Sequence, residues 1–325
     1  MQLFNDTTRL MIKSAAWSAT AALSLLVIPL MSIVWGLQPK VRPKPPRPSA
    51  AMLSEIDREA VAKLDRDTDR GQQRKVNGFD AGADRSRKHA DLIRWGRPDS
   101  NYLSSDGGEF LIGRPDRTRC PRWVLERLDQ DSLAGSADRD DDRWNADDRV
   151  PVEFRAKNAD YRGSNFDRGH LAASGNHVSS EKAQAATFVL SNAMPQTAVL
   201  NQVILNRLEN QIRLRVKKGE VCWVLTLPVW KRDEQRNICT TTIGDGIWVP
   251  THVAKACLWS PDKRRAYDVQ TLSLECFEIP NDEKFPENAT PQDYRVSGDG
   301  LEADAGLDLF ANLPDDVENK LESEK

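Results

Sequence analysis

The sequence predicts an α+β protein: a β-rich globular region with one prominent helix, set behind an apolar N-terminal segment. Three patterns carry that reading. Runs of β-branched and aromatic residues at 109–128, 221–230, 241–259 and 267–280 are separated by turn residues, as strands are. Leu200, Ile204, Leu208 and Ile212 recur every four positions with Val203 beside them, the apolar stripe of a helix reaching about Arg215. Between Lys13 and Lys40 no residue is charged.

Within that uncharged stretch Ala15–Leu37 is mostly apolar. As a helix it spans about 35 Å, enough for a bilayer core of ~30 Å. Trp17 and Trp35 lie near its ends, where interfacial aromatics belong. A signal-peptide core is shorter, about 7–15 residues. Residues 1–38 are therefore expected to form a transmembrane anchor, with a cleaved targeting peptide as the alternative. Basic residues flank both ends and leave its orientation open.

Residues 39–91 are expected to be a linker. PKVRPKPPRPS (39–49) is proline-rich and cationic, hence extended. Ser54–Asp65 reads as a short amphipathic helix with Ser54 as N-cap. Residues 66–91 hold little apolar material and read as linker or disorder. The globular domain is placed at 92–313, followed by a frayed acidic tail at 314–325. Inside the domain, EFLIGRPDRTRCPRWVLERL (109–128) reads as strand, turn, strand. DRDDDRWNADD (138–148) lacks the spacing of a calcium loop and reads as a solvated loop.

The chain of 325 residues is 29% charged and 39% apolar, which excludes a polytopic membrane protein. Its net charge is −3, without the global basic excess of many nucleic-acid binders. The charge is uneven, however. Residues 151–270 carry 17 Lys and Arg against 11 Asp and Glu, a net of +6, so the rest of the chain carries −9. A cationic middle is compatible with a polyanionic substrate. The five cysteines form no C-x-x-C pair and are expected to be buried free thiols. No H-E-x-x-H, P-loop or G-x-S-x-G motif occurs, which removes the signatures of a zincin, a P-loop ATPase and an ordinary serine hydrolase.

The densest polar motif is DYRGSNFDRGHLAASGNH (160–177), followed by TFVLSNAMPQTAVLNQVILNRLENQIR (187–213). His170 is the candidate general base, since an imidazole with an unperturbed pKa near ~6.5 accepts protons at neutral pH. Gly169 permits backbone geometry that a β-carbon would hinder. Arg168 offers a planar fork of donors suited to phosphate. Asn201 and Glu209 lie eight apart on the striped helix, about 80° apart around an ideal α-helix. Asn192 and Gln196 sit in the loop feeding that helix. A histidine, an arginine, amide oxygens and one carboxylate suggest a hard-cation phosphoryl site, and oxygen ligands suit magnesium. Taken singly, Arg168 reads equally as a partner for Asp167, Asn201 as an N-cap and Glu209 as a solvated helix residue. Arg213, Arg215, Lys217 and Lys218 read either as part of a polyanion track or as an ordinary helix end.

DRGHLAA, SN-x-x-PQ and LNQ-x-x-x-x-x-LE, in this order and spacing, resemble the DNA/RNA non-specific endonucleases, and among them the mitochondrial endonuclease G branch. RWGRPDS (94–100), WVLERL (123–128), NADYRGS (158–164), WVPTHVAKA (248–256) and EADAGLDLF (302–310) extend the likeness over roughly 92–313. The resemblance implies a ββα-metal nuclease fold, an antiparallel β-sheet core flanked by helices. It implies that His170 activates water and that Asn201 is the one protein ligand of a magnesium ion, with manganese as an alternative. Glu209 would orient metal-bound water, and Arg168 and Asn192 would position and stabilise the phosphate. An upstream catalytic arginine is matched to Arg139, with Arg143 as the alternative. The resemblance further implies cleavage of DNA and RNA, a homodimer, and a place in the mitochondrial inner membrane or intermembrane space. A secreted or cell-envelope nuclease, and a catalytically silent membrane-tethered nucleic-acid binder, are the rival readings. Three departures stand out: Leu205 where the family usually has tryptophan, Asn165 where it has glycine, and no family counterpart for residues 40–91.

Overall fold

The structure, a computed structural model, describes residues 81–137, 144–235, 237–238 and 240–323. The segment expected to span a membrane, the Ser54–Asp65 helix, Cys239, and both Arg139 and Arg143 lie outside the described residues. Among the described residues no helix is long and apolar enough to cross a membrane.

Seven strands form one antiparallel sheet: β1 (Tyr102–Ser104), β2 (Phe110–Gly113), β3 (Val124–Leu128), β6 (Val221–Val229), β9 (His252–Ser260), β10 (Ser273–Pro280) and β11 (Arg295–Val296), paired in that order. β4 (Asp167–His170) and β5 (Ala193–Gln196) make a separate antiparallel pair, and β7 (Thr242–Ile243) and β8 (Ile247–Trp248) another. β3 and β6 are sheet neighbours although residues 129–220 lie between them in sequence. The chain leaves the sheet after β3, builds the β4–β5 pair and the striped helix, and returns in β6. That excursion carries every candidate residue the structure describes.

The helices are α1 (Ala81–Leu92), α2 (Asn158–Tyr161), α3 (Glu181–Ala185), α4 (Asn206–Lys217), α5 (Gly298–Ala305) and α6 (Asp315–Ser323). A π-helical turn, Leu200–Leu205, runs directly into α4. Both faces of the sheet are covered, so β6 is buried at every position and reads as a continuous apolar run instead of an alternation. Successive residues still point to opposite faces. On one face Val124, Val224 and Cys257 pack in one layer with Leu200, Ile204, Leu208 and Ile212, the stripe of the π-turn and α4. Val203, beside the stripe in sequence, is exposed. On the other face Leu125, Trp223, Leu225 and Leu258 pack with Leu92, Phe310, Val317 and Leu321. Fully burying such a side chain contributes about 1.5–3 kcal/mol, so the two layers supply most of the folding drive.

Two expectations change. Ala81–Leu92 is a helix, not linker, and its C-terminal Leu92 enters the core beside Ile93 and Trp95. The acidic tail contains α6, which buries Val317 and Leu321, one turn apart, together with Glu318 and Glu322. Cys120, Cys222, Cys257 and Cys276 are buried and free.

Candidate active site

β4 and the helix that follows β5 converge on a cleft of about 410 Å³. Arg168 and His170 line it from β4, Asn201 from the π-turn, and Glu209 and Arg213 from α4. In a strand, residues two apart share a face, which is why Arg168 and His170 both reach the cleft. Gly169 lies between them, and its requirement is space. A β-carbon there would stand 1.9 Å from Gln196 Cδ on the paired strand. A larger cavity, about 600 Å³, lies against α1 and residues 127–132 and contains none of the candidate residues.

The His170 ring is set between two aromatic rings. Trp144 lies 4.4 Å away between centroids, and Phe188 meets it edge-on at 4.8 Å. These walls fix the plane of the imidazole. Arg168 donates to the Asn158 carbonyl at 3.4 Å, and its guanidinium sits 5.5 Å from the Tyr161 ring centre. Asp167, its alternative partner in the sequence, is engaged elsewhere.

Asp167 Oδ2 accepts from Asn201 Nδ2 at 2.9 Å and from Gln202 Nε2 at 2.8 Å. A carboxylate only accepts, so the nitrogen end of the Asn201 amide faces Asp167 and its oxygen is the end left to bind a cation. The π-turn also matters. Its wider turn rotates each residue by less than an α-helix does, which reduces the 80° offset expected between Asn201 and Glu209. Both side chains line the same cleft.

Glu209 sits 3.5 Å from Lys255 Nζ and 3.9 Å from an Arg213 nitrogen. Burial pushes its carboxyl above the ordinary value, Lys255 and Arg213 pull it back, and Glu126 adds to the rise. Arg213 is held by Asn176 Oδ1 at 2.9 Å and Asn210 Oδ1 at 3.0 Å. Arg215, by contrast, serves the fold: it pairs with Glu220 and Glu275 and stacks 3.6 Å from the Trp259 ring centre.

Asn192 is placed behind the cleft, not in its wall. It is fully buried; its Oδ1 accepts from the Ala172 amide at 2.9 Å, and its Nδ2 donates to the Ala172 and Thr187 carbonyls. Both ends of its side-chain amide thus meet backbone partners, so it braces the segment after His170. Gln196 is likewise buried on β5.

The donor set fits a hard cation: an amide oxygen aimed by Asp167 and a nearby carboxylate are the oxygen groups magnesium prefers. Among the described residues no group of three His, Cys, Asp or Glu forms a metal cage. Spacing does not mark Trp144, Phe188 and Lys255 as site residues, because each reaches the site only through tertiary packing.

The family model for DNA/RNA non-specific endonucleases matches residues 108–316. The chain belongs to this family. It is 40% identical over 231 residues to human "Endonuclease G, mitochondrial", covering 69% of this chain and 74% of that protein. It is 36% identical over 236 residues to human "Nuclease EXOG, mitochondrial", covering 71% of this chain and 63% of that one. The chain spans 62% of the mouse EXOG protein. A chain from the crystal structure of an EndoG/EndoGI complex superposes with a TM-score of 0.63 at 27% identity, covering 74% of this chain and 95% of that one.

The departures from the DNA/RNA non-specific endonuclease pattern have structural readings. Asn165 has φ 64°, the left-handed region, where asparagine is among the few residues that substitute for glycine. Leu205 is 2% exposed and packs in the layer beneath the cleft, so its replacement of tryptophan is a matter of core shape.

Proposed function

We propose that this chain is a magnesium-dependent endonuclease that hydrolyses internal phosphodiester bonds of DNA and RNA. The observation that carries the reading is the shared cleft: a histidine and an arginine on one strand face an amide oxygen and a carboxylate on one helix. Family membership and the names of the relatives support it.

His170 takes the proton of the attacking water, its ring held by Trp144 and Phe188. Arg168 donates to the non-bridging phosphate oxygens as charge develops on them. Asn201, with Glu209 acting through water, would hold the cation, and bound magnesium would supply stabilisation of the charge that develops in the reaction. Asp167 orients the Asn201 amide. Contacts made to phosphates carry no sequence information, which accounts for low specificity. The upstream arginine is assigned to Arg139, with Arg143 as the alternative.

The same reading assigns the protein to mitochondria, as the names of its relatives do for them. It makes residues 15–37 the membrane anchor and the active form a homodimer. The test is digestion of circular single- and double-stranded DNA and of RNA by the full chain, with magnesium, with manganese and with EDTA. Expected is cleavage of the closed circles that EDTA abolishes. Intact circles under all metal conditions would overturn the proposal.

A further inference from the structure

Lys255 lies in the middle of β9 and is 1% exposed, on the sheet face covered by α4. Lysine is almost never fully buried unless paired. Its Nζ donates to Thr226 Oγ1 at 2.9 Å and to the Leu171 carbonyl at 3.3 Å, and lies 3.5 Å from Glu209 Oε1. The three acceptors belong to three separate parts of the chain. Thr226 stands directly opposite Lys255 on β6. Leu171 follows His170 at the end of β4. Glu209 is on α4.

We infer that Lys255 is a positioning residue of the nuclease site: its one Nζ ties the His170 segment and the Glu209 carboxylate to a common point on the sheet. Without it, Glu209 is left to Arg213, at 3.9 Å on its own helix, and loses its tie to the segment carrying His170. A lysine needed only to fill the core would be a poor choice, because well-packed apolar residues often replace buried ion pairs without loss of stability. Partners one step removed from a metal site commonly cost about 10–100-fold in activity or metal affinity when removed. This inference rests on the reading of Glu209 as part of the cation and water machinery.

The experiment is a double-mutant cycle on the full chain with Lys255→Met, Glu209→Gln and the pair, and with Thr226→Val as a gentler variant. Three quantities are followed: kcat and KM on circular DNA with magnesium, manganese binding by the nucleic-acid-free protein in calorimetry, and thermal melting. Lys255→Met is expected to lower kcat about 10–100-fold at unchanged KM and to weaken manganese binding. In the Glu209→Gln background the same substitution should change neither further, whatever it does to melting temperature. Additive losses in that background would show that Lys255 does not act through Glu209 and overturn the inference. Wild-type kcat in Lys255→Met beside an impaired Glu209→Gln would overturn this inference and leave the nuclease reading intact. A fully active Glu209→Gln would overturn both. If Lys255→Met does not fold, Thr226→Val decides: a drop in kcat that disappears in the Glu209→Gln background supports the tie, and an unchanged kcat overturns it.

Discussion

At the centre of β3, β6 and β9 the residues on the face covered by α1 and α5 are Leu125, Trp223, Leu225, Ala254, Ala256 and Leu258, all buried and apolar. One position along, on the face under α4, the same strands place Glu126, Thr226 and Lys255, also buried. Each polar group there has partners: Glu126 accepts from Asn176 and pairs with His177 at 2.9 Å, and Lys255 ties Thr226 to Glu209. Burying charge is costly unless it is paired and hydrogen-bonded. The face under α1 and α5 makes the domain stable, and the face under α4 accepts that cost where it underlies the cleft. Strand alternation lets one sheet do both.

Substitutions on the two faces should therefore separate activity from stability. The largest effect is expected from His170→Ala: a loss of about 10²–10⁴-fold in kcat with a nearly unchanged melt, measured on circular DNA. Trp223→Ala is the opposite case. It removes a fully buried indole that donates to the Asp91 carbonyl, and should destabilise by about 3–5 kcal/mol in denaturant unfolding while the folded fraction keeps its activity. Asp167→Ala frees the Asn201 amide and should weaken manganese binding by about 10–100-fold with little change in melting.

The smallest effect belongs to α6, which packs against α5 and β10. Burial, with Glu302, Glu318, Asp299 and Asp308 nearby, pushes Glu322 from 4.5 up to about 8. Between those values the folded chain keeps a proton that the unfolded chain has released, so stability falls as pH rises through that window. Glu322→Gln should flatten that slope in melts taken across the same range, with cleavage unaffected. An identical slope in the variant would remove Glu322 as its source.

Much of the site was legible because its residues are local. Arg168 and His170 share a tetrapeptide, so spacing alone brought them to one side; Asn201 and Glu209 share one helical segment, which spacing alone left about 80° apart. The long apolar runs likewise marked β6, β9 and β10. Ties across long stretches of sequence left no mark: Glu126 meets His177 and Lys255 meets Glu209 only once the sheet is assembled. The π-turn changed an angle that ideal helix geometry sets. Asn192 sits in a motif position that suggested phosphate contact, yet both ends of its amide meet backbone partners. α1 and α6 escaped the sequence pattern because few apolar residues anchor each one.

The central claim is that the imidazole of His170 and a cation on Asn201 share one cleft. Manganese broadens nuclear resonances of nearby groups, so it can be titrated into nucleic-acid-free protein while the ring signals of His170, assigned with His170→Ala, are observed. The expected result is strong broadening of His170 in the wild type that is lost in Asn201→Ala. A His170 signal untouched by manganese, or broadening that persists in Asn201→Ala, would contradict it.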